Sequence, residues 1–252
     1  YMFMSSGFHA EFLGFHNIIS LFRSELFQTA MFNNAIFTLA VVPATLILSL
    51  VFAAVVWESM GAGWFFRTAS VMPYVAPTVA VVLLWTLFFD VNGAVNHILS
   101  WFGMERIDWV GTSLLRWLVI TMYLWKNTGF NIILILASMN VVEKEVLESA
   151  TLDGANAWQR FWHVTFPLII PSLTICVFWT LNSAFQVFDV IYALTGGGPG
   201  RATQSVALNI YEEAFRGNIL YGYATAKSTV LFLIILIITV VQIRLMRGKE
   251  AE

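Results

Sequence analysis

Residues 34–57 read NAIFTLAVVPATLILSLVFAAVVW and carry no charged side chain. A transmembrane helix needs about 20 predominantly apolar residues, so this run is long enough to cross a bilayer. Four runs of the same kind follow. Thr68–Phe89 and Phe161–Phe188 hold no Asp, Glu, Lys or Arg, while Trp117–Val142 holds Lys126 and Gly217–Ile243 holds Lys227. Barrel strands would be about 10 residues of alternating polarity. These runs are longer and continuous, so the expected fold is all-α: a polytopic membrane helix bundle with five visible spans. Pro43, Pro73, Pro77, Pro167 and Pro171 fall in or near the spans, where a membrane bundle tolerates kinks.

Composition supports this reading. Of the 252 residues, 59% are hydrophobic and 11% are charged, against roughly 25% charged in a soluble domain. So few charges cannot cover a globular surface, and lipid must be the solvent for much of the chain. A net charge of −2 argues against a nucleic-acid partner. Cys176 is the only cysteine, so there is no disulfide framework. His9, His16, His97 and His163 are scattered. With no H-E-x-x-H and no G-x-S-x-G pattern, neither a metal site nor an integral membrane enzyme is expected.

Residues 1–33 mix Phe8, Phe12, Phe15, Phe22 and Phe27 with polar residues. They read as a loop and a short helix along the outer membrane surface. Arg244, Arg247 and Lys249 form the densest basic cluster, and positive charge marks the cytoplasmic side. The C-terminus is therefore expected inside, which puts 143–160 and 58–67 inside and 90–116 and 189–216 outside. Five spans then leave Tyr1 outside. A chain that starts outside without Met suggests a sixth span before Tyr1. The transmembrane domain is expected over 34–246, with a cytoplasmic tail at 247–252.

The inner loop 143–167 reads EKEVLESATLDGANAWQRFWHVTFP. Its acidic start suits a helix N-terminus. Leu147, Ala150, Thr151 and Gly154 share one helical spacing, and their mostly small side chains let another surface approach. Gly154 permits a sharp change of direction. Glu148-Ser149-Ala150, then three residues, Gly154, nine residues, and Val164-Thr165-Phe166-Pro167 resemble the EAA loop of binding-protein-dependent ABC importer permeases. Ser149, Val164 and Phe166 are mild departures from the pattern. The resemblance implies the type I ABC importer transmembrane fold. It also implies that Glu148, Ser149, Ala150, Asp153 and Gly154 couple to a cytoplasmic ATPase, with Asp153 alternatively capping the next turn.

Two outer segments extend the resemblance. Leu194-Thr-Gly-Gly-Gly-Pro199, with Thr203 and Tyr211, looks like the outer loop of sugar and polyol permeases. Physically, Gly196–Pro199 is a flexible turn. It does not fit the phosphate-loop pattern G-x-x-x-x-G-K-[ST]. Met72-Pro-Tyr-Val-Ala-Pro77 and Phe88-Phe-Asp-Val-Asn-Gly93 are similar to segments of the same permeases. The family implies a second permease subunit, two ATPase subunits that hold ATP and Mg²⁺, an extracytoplasmic solute-binding protein, and a location in a bacterial or archaeal inner membrane. It implies no cofactor and no catalysis in this chain.

Polar groups inside apolar spans are costly, so each is a candidate for the solute path. Lys126, Asn127 and Asn131 lie on the third visible span. Asn182, Gln186 and Asp189 follow i, i+4, i+7 on the fourth. Trp85 and Phe130 offer flat faces to a sugar ring. Lys126 and Asp189 have opposite charges and are candidates to pair. The alternative for each amide is a hydrogen bond between packed helices. Lys227 is expected to snorkel to the outer interface. The resulting functional expectation is the permease half of an ATP-driven sugar importer. The alternatives are an importer of glycerol phosphate or another polyol, or a stand-alone secondary carrier. A carrier usually has an internal inverted repeat, and none is visible.

Overall fold

The computed structural model describes residues 12–58, 63–216 and 220–250. Its helices are α1 (His16–Arg23), α2 (Glu25–Glu58), α3 (Gly63–Val75), α4 (Thr78–Phe88), α5 (Ala94–Trp101), α6 (Leu115–Met139), α7 (Lys144–Leu152), α8 (Ala157–Arg160), α9 (Phe166–Phe185), α10 (Asp189–Leu194), α11 (Val206–Phe215) and α12 (Tyr221–Glu250). A π-helical turn, Phe161–Thr165, joins α8 to α9. Among these residues 4 helices are long and apolar enough to cross a membrane, or up to 5 spans when the α3–α4 pair is counted as one.

That pair corrects the reading of Thr68–Phe89 as one helix. The chain breaks at Ala76–Pro77, and Pro77 stands in extended conformation as the N-cap of α4. The ring of Pro77 disfavours helical geometry at Ala76, and Pro77 has no N–H to carry the ladder forward. The first span is longer than expected. It starts at Glu25, where the Ser24 hydroxyl accepts from the Phe27 N–H at 3.4 Å, and it runs through Pro43 to Glu58. Among the described residues, the segment before it contains the short helix α1. The part expected over residues 1–11 lies outside the described residues. Helix α12 runs on to Glu250, while the span it contains is Tyr221–Met246.

The chain forms two compact units. One comprises Tyr1–Val41, Pro77–Tyr123 and Asn182–Thr239, the other Val42–Ala76, Leu124–Leu181 and Val240–Glu252. In the first, Asn34 is 1% exposed. It donates to the Phe185 carbonyl at 2.7 Å and accepts from the Val206 N–H at 3.0 Å. Asn33 donates to the carbonyls of Arg201 and Gln204 and accepts from the Arg116 guanidinium at 3.1 Å. Buried polar groups need partners, and here two amides tie α2 to α6, α9 and the loop before α11. The Gly196–Pro199 loop is not a loose turn. The hydroxyls of Thr195 and Thr203 meet at 2.7 Å, and Thr203 also donates to the Gly198 carbonyl.

Lys227 is fully buried rather than snorkelled. Its ammonium meets Glu213 at 2.7 Å and lies 4.6 Å from the centre of the Tyr223 ring. A carboxylate from α11 supplies inside the protein what the interface would have supplied outside.

In the second unit the core forms around Ala53, Val56, Ile135, Met139, Ile169 and Cys176. Gly129 of α6 lies directly against α3. A Cβ there would fall into the Ser70 carbonyl and 3.3 Å from the Val71 Cα, so only glycine allows this approach.

Candidate functional site

The loop over 143–167 builds its geometry from local bonds. Helix α7 buries none of its residues. It ends in a Schellman motif, in which the Gly154 N–H donates to Thr151 and the Ala155 N–H to Ala150, both at 3.0 Å. Gly154 takes the left-handed conformation that this closure requires, with φ +85°. Asn156 then opens α8. Its side chain accepts from the Gln159 N–H at 2.9 Å, and the Gln159 side chain accepts from the Asn156 N–H at 2.9 Å. This is a capping box. The cap of the following turn is therefore Asn156 and not Asp153. The π-helical turn precedes Pro167, which cannot donate to the carbonyl four residues back.

Glu148, Ser149, Asp153 and Gly154 are exposed and Ala150 is half-buried. Leu152 is 89% exposed. Leu147, Glu148 and Thr151 turn toward a cleft of about 470 Å³, whose other walls include Trp57, Arg160, Phe161 and Thr165. Arg160 donates to the Thr151 hydroxyl at 2.8 Å, and Thr151 donates to the Leu147 carbonyl at 2.8 Å. The guanidinium thus braces the two legs of the loop. Arg160 was not among the expected residues.

The solute-path candidates divide between the units. In the second, Lys126 is 8% exposed. It donates to the Tyr74 carbonyl at 3.3 Å and lies 5.9 Å from the Tyr74 ring centre. Phe130 packs on Tyr74 at 5.3 Å and on Trp179 at 5.0 Å. Asn127 is half-buried. Asn131 is 1% exposed and donates to the Thr180 hydroxyl at 2.7 Å. Of the two readings open for it, Asn131 takes the interhelical one.

In the first unit Trp85 stacks on Phe89 at 5.1 Å, and Phe89 meets Trp109 edge-on at 5.3 Å. The expected Asn182–Gln186–Asp189 stripe is interrupted. Helix α9 ends at Phe185, and Asp189 opens the separate helix α10. Gln186 and Asp189 are exposed and Asn182 is half-buried. Asp189 accepts from the Thr78 hydroxyl at 2.6 Å. Lys126 and Asp189 each find a partner within their own unit. Beyond the expected set, Phe188, Tyr192, Tyr211 and Phe215 form a run of packed rings. The hydrogen bond with Tyr192 holds the Tyr211 phenol above its ordinary range. A small cavity of about 20 Å³ lies beside Asn33, Asn34 and Arg116, room for about one water and not for a solute.

Four long apolar helices, the bent α3–α4 pair and an exposed bracket between α6 and α9 define a polytopic membrane protein. The family model for the binding-protein-dependent transport system inner membrane component matches residues 52–248. The chain belongs to this family, and it is an ABC importer permease of the multi-pass inner-membrane type. It is 31% identical over 249 residues to the sulfoquinovosyl glycerol transport system permease protein SmoG of Agrobacterium fabrum, covering 98% of this chain and 80% of that one. It is 34% identical over 245 residues to the sn-glycerol-3-phosphate transport system permease protein UgpA of Escherichia coli O6:K15:H31, covering 96% and 83%. A crystallised bacterial alginate ABC transporter, in complex with alginate pentasaccharide-bound periplasmic protein, superposes with a TM-score of 0.84 at 27% identity, over 94% of this chain and 84% of that one.

Proposed function

We propose that this permease is one half of the translocation path of an importer for a sugar or related polyol, driven through α7 by a cytoplasmic ATPase. The observation that carries the coupling role is the exposure of α7. A helix with no buried residue, and with Leu152 89% exposed, leaves an apolar side chain that needs a partner surface. Its Schellman end and the capping box fix its angle, while Arg160 joins its two legs. The ATPase subunits bind ATP and Mg²⁺ and hydrolyse the nucleotide; this chain supplies the lever they move. Glu148 at the rim of the cleft suits a basic residue of the ATPase. The basic cluster Arg244, Arg247 and Lys249 supports a cytoplasmic C-terminus, on the same side as α7.

The cargo reading rests on the relatives. The systems named for them carry sulfoquinovosyl glycerol, sn-glycerol 3-phosphate, and trehalose or maltose, and the solved neighbour imports alginate. All of these are rich in hydroxyls. Within the first unit Trp85 brings a ring and Asn182, Gln186 and Asp189 bring polar groups; within the second, Phe130 brings a ring and Asn127 an amide. An extracytoplasmic binding protein delivers the solute, and a second permease subunit completes the path.

The test is Leu152→Arg in the assembled transporter, reconstituted with its partner permease, ATPase and binding protein. The expected result is loss of binding-protein-stimulated ATP hydrolysis with the permease still inserted. Unchanged stimulation sinks the coupling role. The cargo class is tested by the thermal shift of the binding protein with trehalose, sn-glycerol 3-phosphate and alginate oligosaccharide. A shift with none of the three sinks it.

A further inference from the structure

We propose that Lys126 is a positioning residue that caps the carboxyl end of the half-span α3, and that it does not bind solute. A helix leaves its last four carbonyls without intrahelical partners. In water these are solvated, but inside a bilayer each unsatisfied group costs several kcal/mol. The break at Ala76–Pro77 creates this problem within the second span. An unbroken helix would give the Tyr74 carbonyl the Thr78 N–H. Here α4 starts afresh at Thr78, and the Tyr74 carbonyl accepts from the Lys126 ammonium at 3.3 Å.

Three observations converge on this role. The cap is buried, with Lys126 only 8% exposed. Its cation faces the partially negative end of α3, the stabilising orientation for a helix dipole. The ring of Tyr74 adds a cation–π contact at 5.9 Å. The approach is also built in, because Gly129, one turn along α6 from Lys126, has no side chain and lets α3 close against it. A solute-binding lysine would present its ammonium to water. This one is spent on the backbone of its own unit. The charge in the third span therefore keeps the break in the second span at a fixed place, and the nearby aromatic wall of Tyr74, Phe130 and Trp179 is held with it.

The experiment uses the assembled transporter in membranes. Cys176, the chain's only cysteine, is buried, so a probe cysteine introduced by Ala76→Cys at the break reads alone within this chain, whose labelling is followed after the subunits are separated. Its reaction rate with a small maleimide is measured for Lys126, Lys126→Arg and Lys126→Met, each with Pro77 and with Pro77→Ala. Lys126→Met is expected to raise the rate about tenfold or more, the scale of a lost charge-assisted hydrogen bond. Lys126→Arg is expected to keep the slow rate. Pro77→Ala, which lets the helix continue, is expected to shrink the Lys126→Met effect. Equal rates in all three Lys126 variants overturn the proposal. An effect of Lys126→Met that ignores Pro77 overturns it as well. Should Lys126→Met fail to assemble, a fast rate in Lys126→Arg overturns it and a slow one supports it. None of these outcomes depends on the coupling loop, so the test stands apart from that reading.

Discussion

The ammonium of Lys227 and the carboxylate of Glu213 sit 2.7 Å apart, with the lysine side chain 1% and the glutamate side chain 19% exposed. The unequal burial makes the two halves unequal on mutation. Removing one partner of a buried pair costs about 3–5 kcal/mol because the other charge is stranded. Glu213→Gln strands the deeper charge, so it is expected to destabilise more than Lys227→Met. The double variant is expected to recover part of the loss. Unfolding midpoints in detergent for the three variants check this order.

Asn34 tests the bonds that tie α2 to the rest of its unit. Asn34→Ala leaves the Phe185 carbonyl and the Val206 N–H without their side-chain partner. An unsatisfied buried group costs about 1–3 kcal/mol. A clear fall in the detergent unfolding midpoint is expected. Asn34→Asp is expected to fall as well, since a carboxylate cannot donate to Phe185.

Gly154 separates backbone strain from docking. Its φ of +85° disfavours any side chain, yet a Cβ there meets nothing within 4 Å. The left-handed conformation costs about 1–2 kcal/mol for a non-glycine residue, and Gly154→Ala and Gly154→Trp share that cost. Any further loss in Gly154→Trp comes from another surface. The expected outcome is that Gly154→Ala keeps part of the binding-protein-stimulated ATP hydrolysis and Gly154→Trp keeps far less. Equal losses would mean that nothing docks there.

Arg160 is predicted to matter through its hydrogen bond to Thr151. Thr151→Val removes that acceptor with little change in size. It is expected to lower uptake per ATP hydrolysed while leaving basal hydrolysis by the assembled transporter in place. Arg160→Lys is expected to keep less than wild-type coupling, because the flexible ammonium holds the Thr151 hydroxyl in a less fixed geometry than the planar guanidinium. Parallel uptake and hydrolysis measurements check both.

Gly129→Ala drives a methyl group into the Ser70 carbonyl. Overpacking of this kind costs about 1–3 kcal/mol. Reduced yield of folded permease in membranes, restored by no substitution at Ser70, is expected because the clash is with backbone.

What could be read from the sequence was mostly local. The apolar runs marked the long helices, since a bilayer demands length and little else. The turn at Gly154 was legible because its bonds close within a few residues. The capping box of Asn156 and Gln159 was equally local and was there to be found in the N-x-x-Q spacing. The break at Ala76–Pro77 was half legible: the proline was noted, but the apolar run continued through it, and hydropathy does not register a change of direction. The bonds of Asn33 and Asn34 were not legible. Apart from Arg116, their partners lie more than 150 residues away and are backbone groups, which leave no mark on residue identity. Lys227 misled for a related reason. Its partner Glu213 sits on another helix, and a lone lysine near a span end reads as interfacial until that helix is placed.

The wide turn at Phe161–Thr165 has a consequence for everything beyond it. A π-turn holds one residue more than the α-helical turn it replaces, and one residue is about 100° of rotation. The helix that begins at Ala157 and ends at Phe185 therefore shifts phase midway. Side chains of α8 and α9 that a helical wheel would align point in different directions. A force applied at Ala157 would therefore reach α9 on a rotated face, as through a crank rather than along a straight rod.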